Sequence, residues 1–212
     1  MAGTRGNHLL AVYVDISREI DDEVNKWYNT QHVPERLAIP GFQSAARYVS
    51  LEGTPKYMAF YELDHARVLD TPAYKRLGEN PSDWDKRMLP NMHLEARTVY
   101  ECILTCGEAG AQHAPYLLSV RVDIAPEVED EFNEWYNVDH VPKLATVPGV
   151  HGARRYRKVS GNGTQYLALY ELANAQVRST EAWTKASRTE WTNKILPQLQ
   201  AKWALNIGQR IL

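Results

Sequence analysis

Trp27-Tyr28-Asn29-Thr30-Gln31-His32-Val33-Pro34, followed by Ile39-Pro40-Gly41 and Arg47-Tyr48, returns later in the chain as Trp135-Tyr136-Asn137-Val138-Asp139-His140-Val141-Pro142, then Val147-Pro148-Gly149 and Arg155-Tyr156. Each residue of the second copy stands 108 positions after its counterpart, as Trp135 does after Trp27 and Tyr156 after Tyr48. One motif carried twice at fixed register reads as a tandem duplication. Upstream of each copy, residues 9–16 and 116–124 are apolar, β-branched runs of strand length. Ser17 is a candidate N-cap, and Pro126 falls in a first helical turn, where its missing N–H costs nothing. Acidic residues crowd both helix starts, and Ile20, Val24, Trp27 and Tyr28 form an apolar stripe matched by Val128, Phe132, Trp135 and Tyr136. A residue before proline avoids helical dihedrals, so Val33-Pro34 and Val141-Pro142 are expected to end the helices.

The two Pro-Gly pairs predict tight turns with glycine at positive φ. Strands are expected over 42–51 and 57–63, and again over 150–160 and 166–172. Thr71-Pro72 and Ser179-Thr180 open second helical regions, and final strands follow over 94–104 and 204–212. Each copy reads β-α-β-β-α-β, the ferredoxin-like arrangement, giving an N-terminal half at 1–106, a linker at 107–115 and a C-terminal half at 116–212. Helices cover one face of such a sheet, and the other face needs a partner. The expected fold is α+β, with two repeats whose sheets pack face to face as an intramolecular, pseudo-dimeric barrel.

Composition narrows the class. The chain has 212 residues, 44% hydrophobic and 24% charged, as in ordinary globular proteins. A formal charge of −2 gives no electrostatic pull toward nucleic acid or anionic lipid. No apolar run is long enough to span a bilayer and no signal-peptide core precedes His8, so a cytoplasmic protein is expected. Cys102 and Cys106 read as packed thiols. Nucleotide, metal-protease and serine-nucleophile motifs are lacking, so no metal or nucleotide cofactor is expected.

The repeated helix ending in WYNxxHVP, the PG turn and the RY strand resemble the dimeric α+β barrel superfamily, most nearly its EthD-like group. The resemblance covers essentially the whole chain as a fused tandem. It implies a pocket between helices and sheet in each half. It also implies activities ranging over cofactor-free monooxygenases, cyclases, isomerases and dehydratases, with haem-binding branches.

Within that frame His32 and His140 are the candidate catalytic residues. They are expected at helix C-termini, where the macrodipole favours the protonated ring, as proton shuttles with an ordinary pKa. The plain alternative is that each caps its own helix. Trp27, Tyr28 and Asn29, with Trp135, Tyr136 and Asn137, are candidate substrate-binding residues or core. Tyr48, Tyr61, Tyr156 and Tyr170 are further candidates. Arg47 and Arg155 need an anion if buried; Glu62 and Glu171 on the neighbouring strands are the expected partners, with an acidic ligand as the alternative. Asp139 stands where the first half has Gln31, a difference that either tunes one pocket only or is incidental. His93 and His151 have no counterparts and read as surface or structural residues. The expectation is a cofactor-independent acid/base enzyme of isomerase, cyclase, dehydratase or lyase type acting on a small apolar carbonyl or phenolic compound. The alternatives are a cofactor-free monooxygenase and a haem- or ligand-binding barrel with an axial histidine. A homodimer of the fused barrel is left open.

Overall fold

A computed structural model describes residues 6–108, 114–199 and 201–212. Eight antiparallel strands close into a barrel in the order β1-β3-β2-β8-β5-β7-β6-β4. They are β1 (His8–Ile16), β2 (Phe42–Glu52), β3 (Tyr57–Leu63), β4 (Met92–Gly107), β5 (Tyr116–Ile124), β6 (Val150–Gly161), β7 (Tyr166–Leu172) and β8 (Ala201–Arg210). The expected stacking of two sheets is thus refined: their edges pair along β2–β8 and β4–β6 and leave no free edge. β4 runs further than its apolar pattern suggested, into the expected linker, because it pairs with β1 through residues 92–101 and with β6 through 98–107. Of that linker, 109–113 lie outside the described residues.

Alternation sorts the side chains into two environments. Leu10, Val12, Val14, Tyr57, Ala59 and Tyr61 face outward under the helices of the first half; Leu118, Val122, Tyr166, Ala168 and Tyr170 do so in the second. Leu9, Ala11, Tyr13, Tyr48, Met58, Phe60, Tyr100, Leu117, Tyr156 and Leu169 fill the barrel. With both faces covered, every residue of β3 and β7 is buried.

The helices lie outside the barrel wall. The first half has α1 (Asp21–Trp27), α2 (Val33–Leu37), α3 (Pro72–Glu79) and α4 (Asp83–Met88). The second has α5 (Glu129–Trp135), α6 (Val141–Ala145), α7 (Glu181–Ser187) and α8 (Glu190–Ile195). Contrary to the sequence expectation, the prolines do not end the first helix of either half. A π-helical turn at Tyr28–His32 joins α1 to α2, and another at Tyr136–His140 joins α5 to α6. In a regular helix the Pro34 ring would collide with the Thr30 carbonyl. Here the turn is widened instead, closed by the Val33 N–H on the Tyr28 carbonyl.

Ser17 does precede the first turn, but its hydroxyl makes no cap bond; it meets His93 Nε2 at 3.2 Å. Pro126 opens its turn as expected. Gly41 and Gly149 adopt φ of 100° and 89°, and a Cβ at either would strike Val68 or Val177. Cys102 and Cys106 are free thiols.

Candidate functional site

The π turn fixes the candidate histidines. His32 lies 4.4 Å from the Trp27 ring and 4.5 Å from Tyr28; His140 lies 4.6 Å from Trp135 and 5.0 Å from Tyr136 (centroid distances). Because the helix continues beyond them, neither stands at a C-terminus, and the expected dipole support for a protonated ring is absent. Burial instead lowers both. His32 falls well below its usual value, with Arg36 and Arg47 adding repulsion. His140 is pushed down to about 4 by burial, with Asp139 opposing weakly. Both rings are therefore neutral at pH 7, and His140 Nδ1 is buried without a hydrogen-bond partner.

The indoles are anchors between helices. Trp27 Nε1 donates to Asp85 Oδ1 at 3.0 Å, and Trp135 Nε1 donates to Thr192 Oγ1 at 3.1 Å. Gln31 Nε2 donates to Ser82 Oγ at 2.8 Å, whereas Asp139 Oδ2 accepts from Thr189 Oγ1 at 2.6 Å. Each half thus keeps one carboxylate at this joint, on α4 as Asp85 in the first half and on the π turn as Asp139 in the second. Lys143 and Thr189 hold Asp139 below the usual carboxylate range, against the upward push of burial.

The arginines correct another expectation. Arg47 donates to Asn29 Oδ1 and to Asn25 Oδ1 (2.8 Å), and its guanidinium stacks 4.0 Å from the Tyr28 ring centroid. Arg155 donates to Asn137 Oδ1 at 2.7 Å and Asn133 Oδ1 at 2.6 Å, beside Tyr136 and Tyr166. Glu62 and Glu171 cannot be their partners, since they point into the barrel while Arg47 and Arg155 point out. Both carboxylates instead meet Arg154, at 2.6 and 3.6 Å. Asn29 and Asn137 are therefore engaged in holding arginines. Tyr48 and Tyr156 also face the barrel interior, on the other side of the wall from the histidines.

Tyr61 and Tyr170 do join the histidines. Tyr61 Oη donates to Tyr28 Oη at 3.2 Å, and both line a cavity of about 340 Å³ with His32. Tyr170 and Tyr136 line a cavity of about 560 Å³ with His140. Sequence reasoning missed most of the other walls: Trp183, Leu144, Trp203 and Leu205 in the second half, and Tyr74, Arg36, Leu94 and Arg97 in the first. Trp183 and Tyr74 were within reach, because Thr180 and Thr71 cap their helices through the backbone N–H of these residues. Leu196 and Trp203 remain 45% and 43% exposed at the larger cavity, an apolar rim open to solvent.

Among the described residues no group of three His, Cys, Asp or Glu side chains could hold a metal ion. Nor is any helix among them long and apolar enough to cross a membrane.

Residues 115–212 match the family described as a domain of unknown function, DUF4286. A comparison with curated proteins returns no match. Among solved structures, an anthrone oxidase-like protein is similar at a TM-score of 0.69 and 14% identity, over 97% of this chain and 91% of that one. A chlorite dismutase variant of Candidatus Nitrospira defluvii, in complex with cyanide, is similar at a TM-score of 0.65 and 8% identity, over 97% and 90%. A candidate monooxygenase of Fusobacterium nucleatum is similar at a TM-score of 0.60 and 13% identity, over 96% and 93%. At these identities the likeness is one of architecture, and the chain shares the α+β barrel fold of these proteins.

Proposed function

We propose that the chain is a fused pair of ferredoxin-like repeats related to the EthD-like group, with 107–115 joining 1–106 to 116–212. Its C-terminal half is a small-molecule enzyme site that moves a proton on a flat, mostly apolar carbonyl or phenolic substrate. The matching order of strands and helices in the two halves supports the first part. One observation carries the second: a neutral imidazole, His140, with a buried unpartnered nitrogen, forms part of the wall of a cavity of about 560 Å³ lined by Trp135, Tyr136, Tyr170 and Trp183. Two convergent phenols beside an aromatic slot suit an enolate or phenolate oxygen.

A base with a pKa of about 4 looks too weak for this task. An oxyanion forming about 4 Å from the imidazolium, however, attracts it by about 4 kcal/mol at an effective dielectric near 20. That is roughly three pKa units, enough to lift the proton affinity of the ring to that of an ordinary imidazole at the moment of transfer. The same enolate-forming step serves an isomerase, cyclase, dehydratase or lyase, and a cofactor-free monooxygenase that then hands the enolate to dioxygen. Anthrone, whose methylene is acidic, separates these in one experiment. Hydrogen–deuterium exchange at that carbon, followed by NMR without oxygen, should be accelerated by the protein and lost in His140→Ala. Oxygen uptake with the same compound marks the monooxygenase. Exchange no faster with protein than without it would refute the reading.

The same cavity also suits haem. His140, kept neutral by burial, would hold its iron, and Arg188, with Arg178 beside Glu52, would pair with its carboxylates. Bound haem would supply redox chemistry. A Soret shift on haemin titration, abolished in His140→Ala, distinguishes this ligand.

A further inference from the structure

Two arginines line each helix–barrel pocket, half-buried Arg36 and Arg97 in the first and exposed Arg178 and Arg188 in the second. Leu10 and Val12 of the first correspond to Leu118 and Val120 of the second, Tyr61 to Tyr170, and Tyr74 to Trp183. Two positions place a cation in the first pocket where the second has leucine. Leu144, on α6, corresponds to Arg36 on α2. Leu205, paired with Val120 on β5, corresponds to Arg97, paired with Val12 on β1.

Both arginines of the first pocket are half-buried, and their bonds go to neutral oxygens. Arg36 Nη1 donates to the His32 carbonyl at 2.8 Å and Arg97 Nη2 to Tyr74 Oη at 2.7 Å. Neither has a carboxylate at ion-pair distance among the described residues. A third cation, Arg47, lies behind Tyr28 with amides as its bonded partners. The adjoining cavity of about 300 Å³ shares His32, Arg36, Tyr74 and Leu89, and it carries the carboxylates Glu35 and Asp85. Asp85 is already engaged by Trp27, Gln31 and Ser82. A guanidinium at an apolar, aromatic wall without a carboxylate calls for an anion.

We propose that the N-terminal pocket binds a small aromatic carboxylate. Its ring lies among Tyr28, Tyr61 and Tyr74, and its carboxylate takes the free N–H groups of Arg36 and Arg97. The anion site is thus particular to the first half, because the arginines of the second pocket, Arg178 and Arg188, are exposed and Arg178 meets Glu52 at 3.7 Å. This assignment does not depend on any chemistry at His140.

The probes are 2-naphthoate and its neutral isostere 2-naphthamide, titrated calorimetrically into the full chain. Naphthoate should bind, and Arg36→Leu or Arg97→Leu should weaken it about 10- to 100-fold, the range of a lost charge-assisted bond. The same substitutions should change naphthamide binding less than threefold, and Trp183→Ala in the other pocket should leave naphthoate unaffected. If Arg36→Leu fails to fold, as circular dichroism would show, Arg36→Gln and Arg97→Leu carry the same test. The proposal is overturned if naphthoate fails to bind the natural chain, if it binds the folded arginine variants equally well, or if Trp183→Ala is the substitution that abolishes binding.

Discussion

His140 is held neutral by its surroundings, and that has a thermodynamic signature. Its folded value of about 4 lies below the 6.5 expected of an unfolded chain. As pH falls below 6.5 the unfolded state takes up a proton that the native state refuses, so stability declines toward pH 4 and is full above 6.5. Between pH 7 and pH 5 this single ring should cost about 2 kcal/mol, and His32 acts in the same direction. Urea titrations of the natural chain and of His140→Asn at the two pH values measure it; equal pH slopes in the two proteins would contradict the assignment. At this scale the sequence was partly legible. The repeated His, Tyr and Trp positions were visible because one helical stripe carries them. The partners of Arg47 and Arg155 were not, because alternation on adjacent strands turns Arg47 of β2 and Glu62 of β3 to opposite faces, while Asn25, Asn29, Asn133 and Asn137 come from helices and π turns packed above.

Among the elements, the joint between the first and second helical regions carries a testable coupling. Asp139 ties the π turn to the cap of α8 through Thr189, while Gln31 and Asp85 make the equivalent tie in the first half. Asp139→Ala should cost about 1–2 kcal/mol, the range for losing a charged hydrogen bond at a helix cap. Thr189→Ala should cost a similar amount, and the double variant clearly less than their sum, since both remove the same bond. Additive losses in chemical denaturation would show that the contact is incidental. The strands Tyr57–Leu63 and Tyr166–Leu172 were readable to the residue, because alternation and flanking turns mark them, whereas the last strands, expected over 94–104 and 204–212, run over Met92–Gly107 and Ala201–Arg210. The run of helix through Val33-Pro34 was not, because local sterics favour a stop there and the widened turn that avoids the clash has no local signature.

For the whole molecule, closure depends on contacts that span the two halves. Arg154, from β6, meets Glu62 of β3 across the barrel as well as Glu171 of β7. Tyr156, Glu62 and Glu171 hold its guanidinium above the usual arginine range, outweighing burial. Arg154→Ala leaves buried acids without this cation and should cost about 3–5 kcal/mol, whereas adding Glu62→Gln should recover part of that loss. Guanidinium titrations followed by far-UV dichroism and tryptophan fluorescence measure both effects. No recovery in the double variant would mean that the arginine acts through packing alone.

At the other end of the barrel, Tyr13 of β1 and Arg121 of β5 occupy matching places in their strands, paired with Met58 and Leu167. The guanidinium lies 4.0 Å from the tyrosine ring centroid, and the Tyr13 hydroxyl bonds Ser119 Oγ at 2.6 Å. An arginine in place of Tyr13 would set cation against cation here, and a tyrosine in place of Arg121 would remove the cation altogether. The contact joins unlike sides, a cation from one strand set against a ring from the other, so its two partners are not interchangeable.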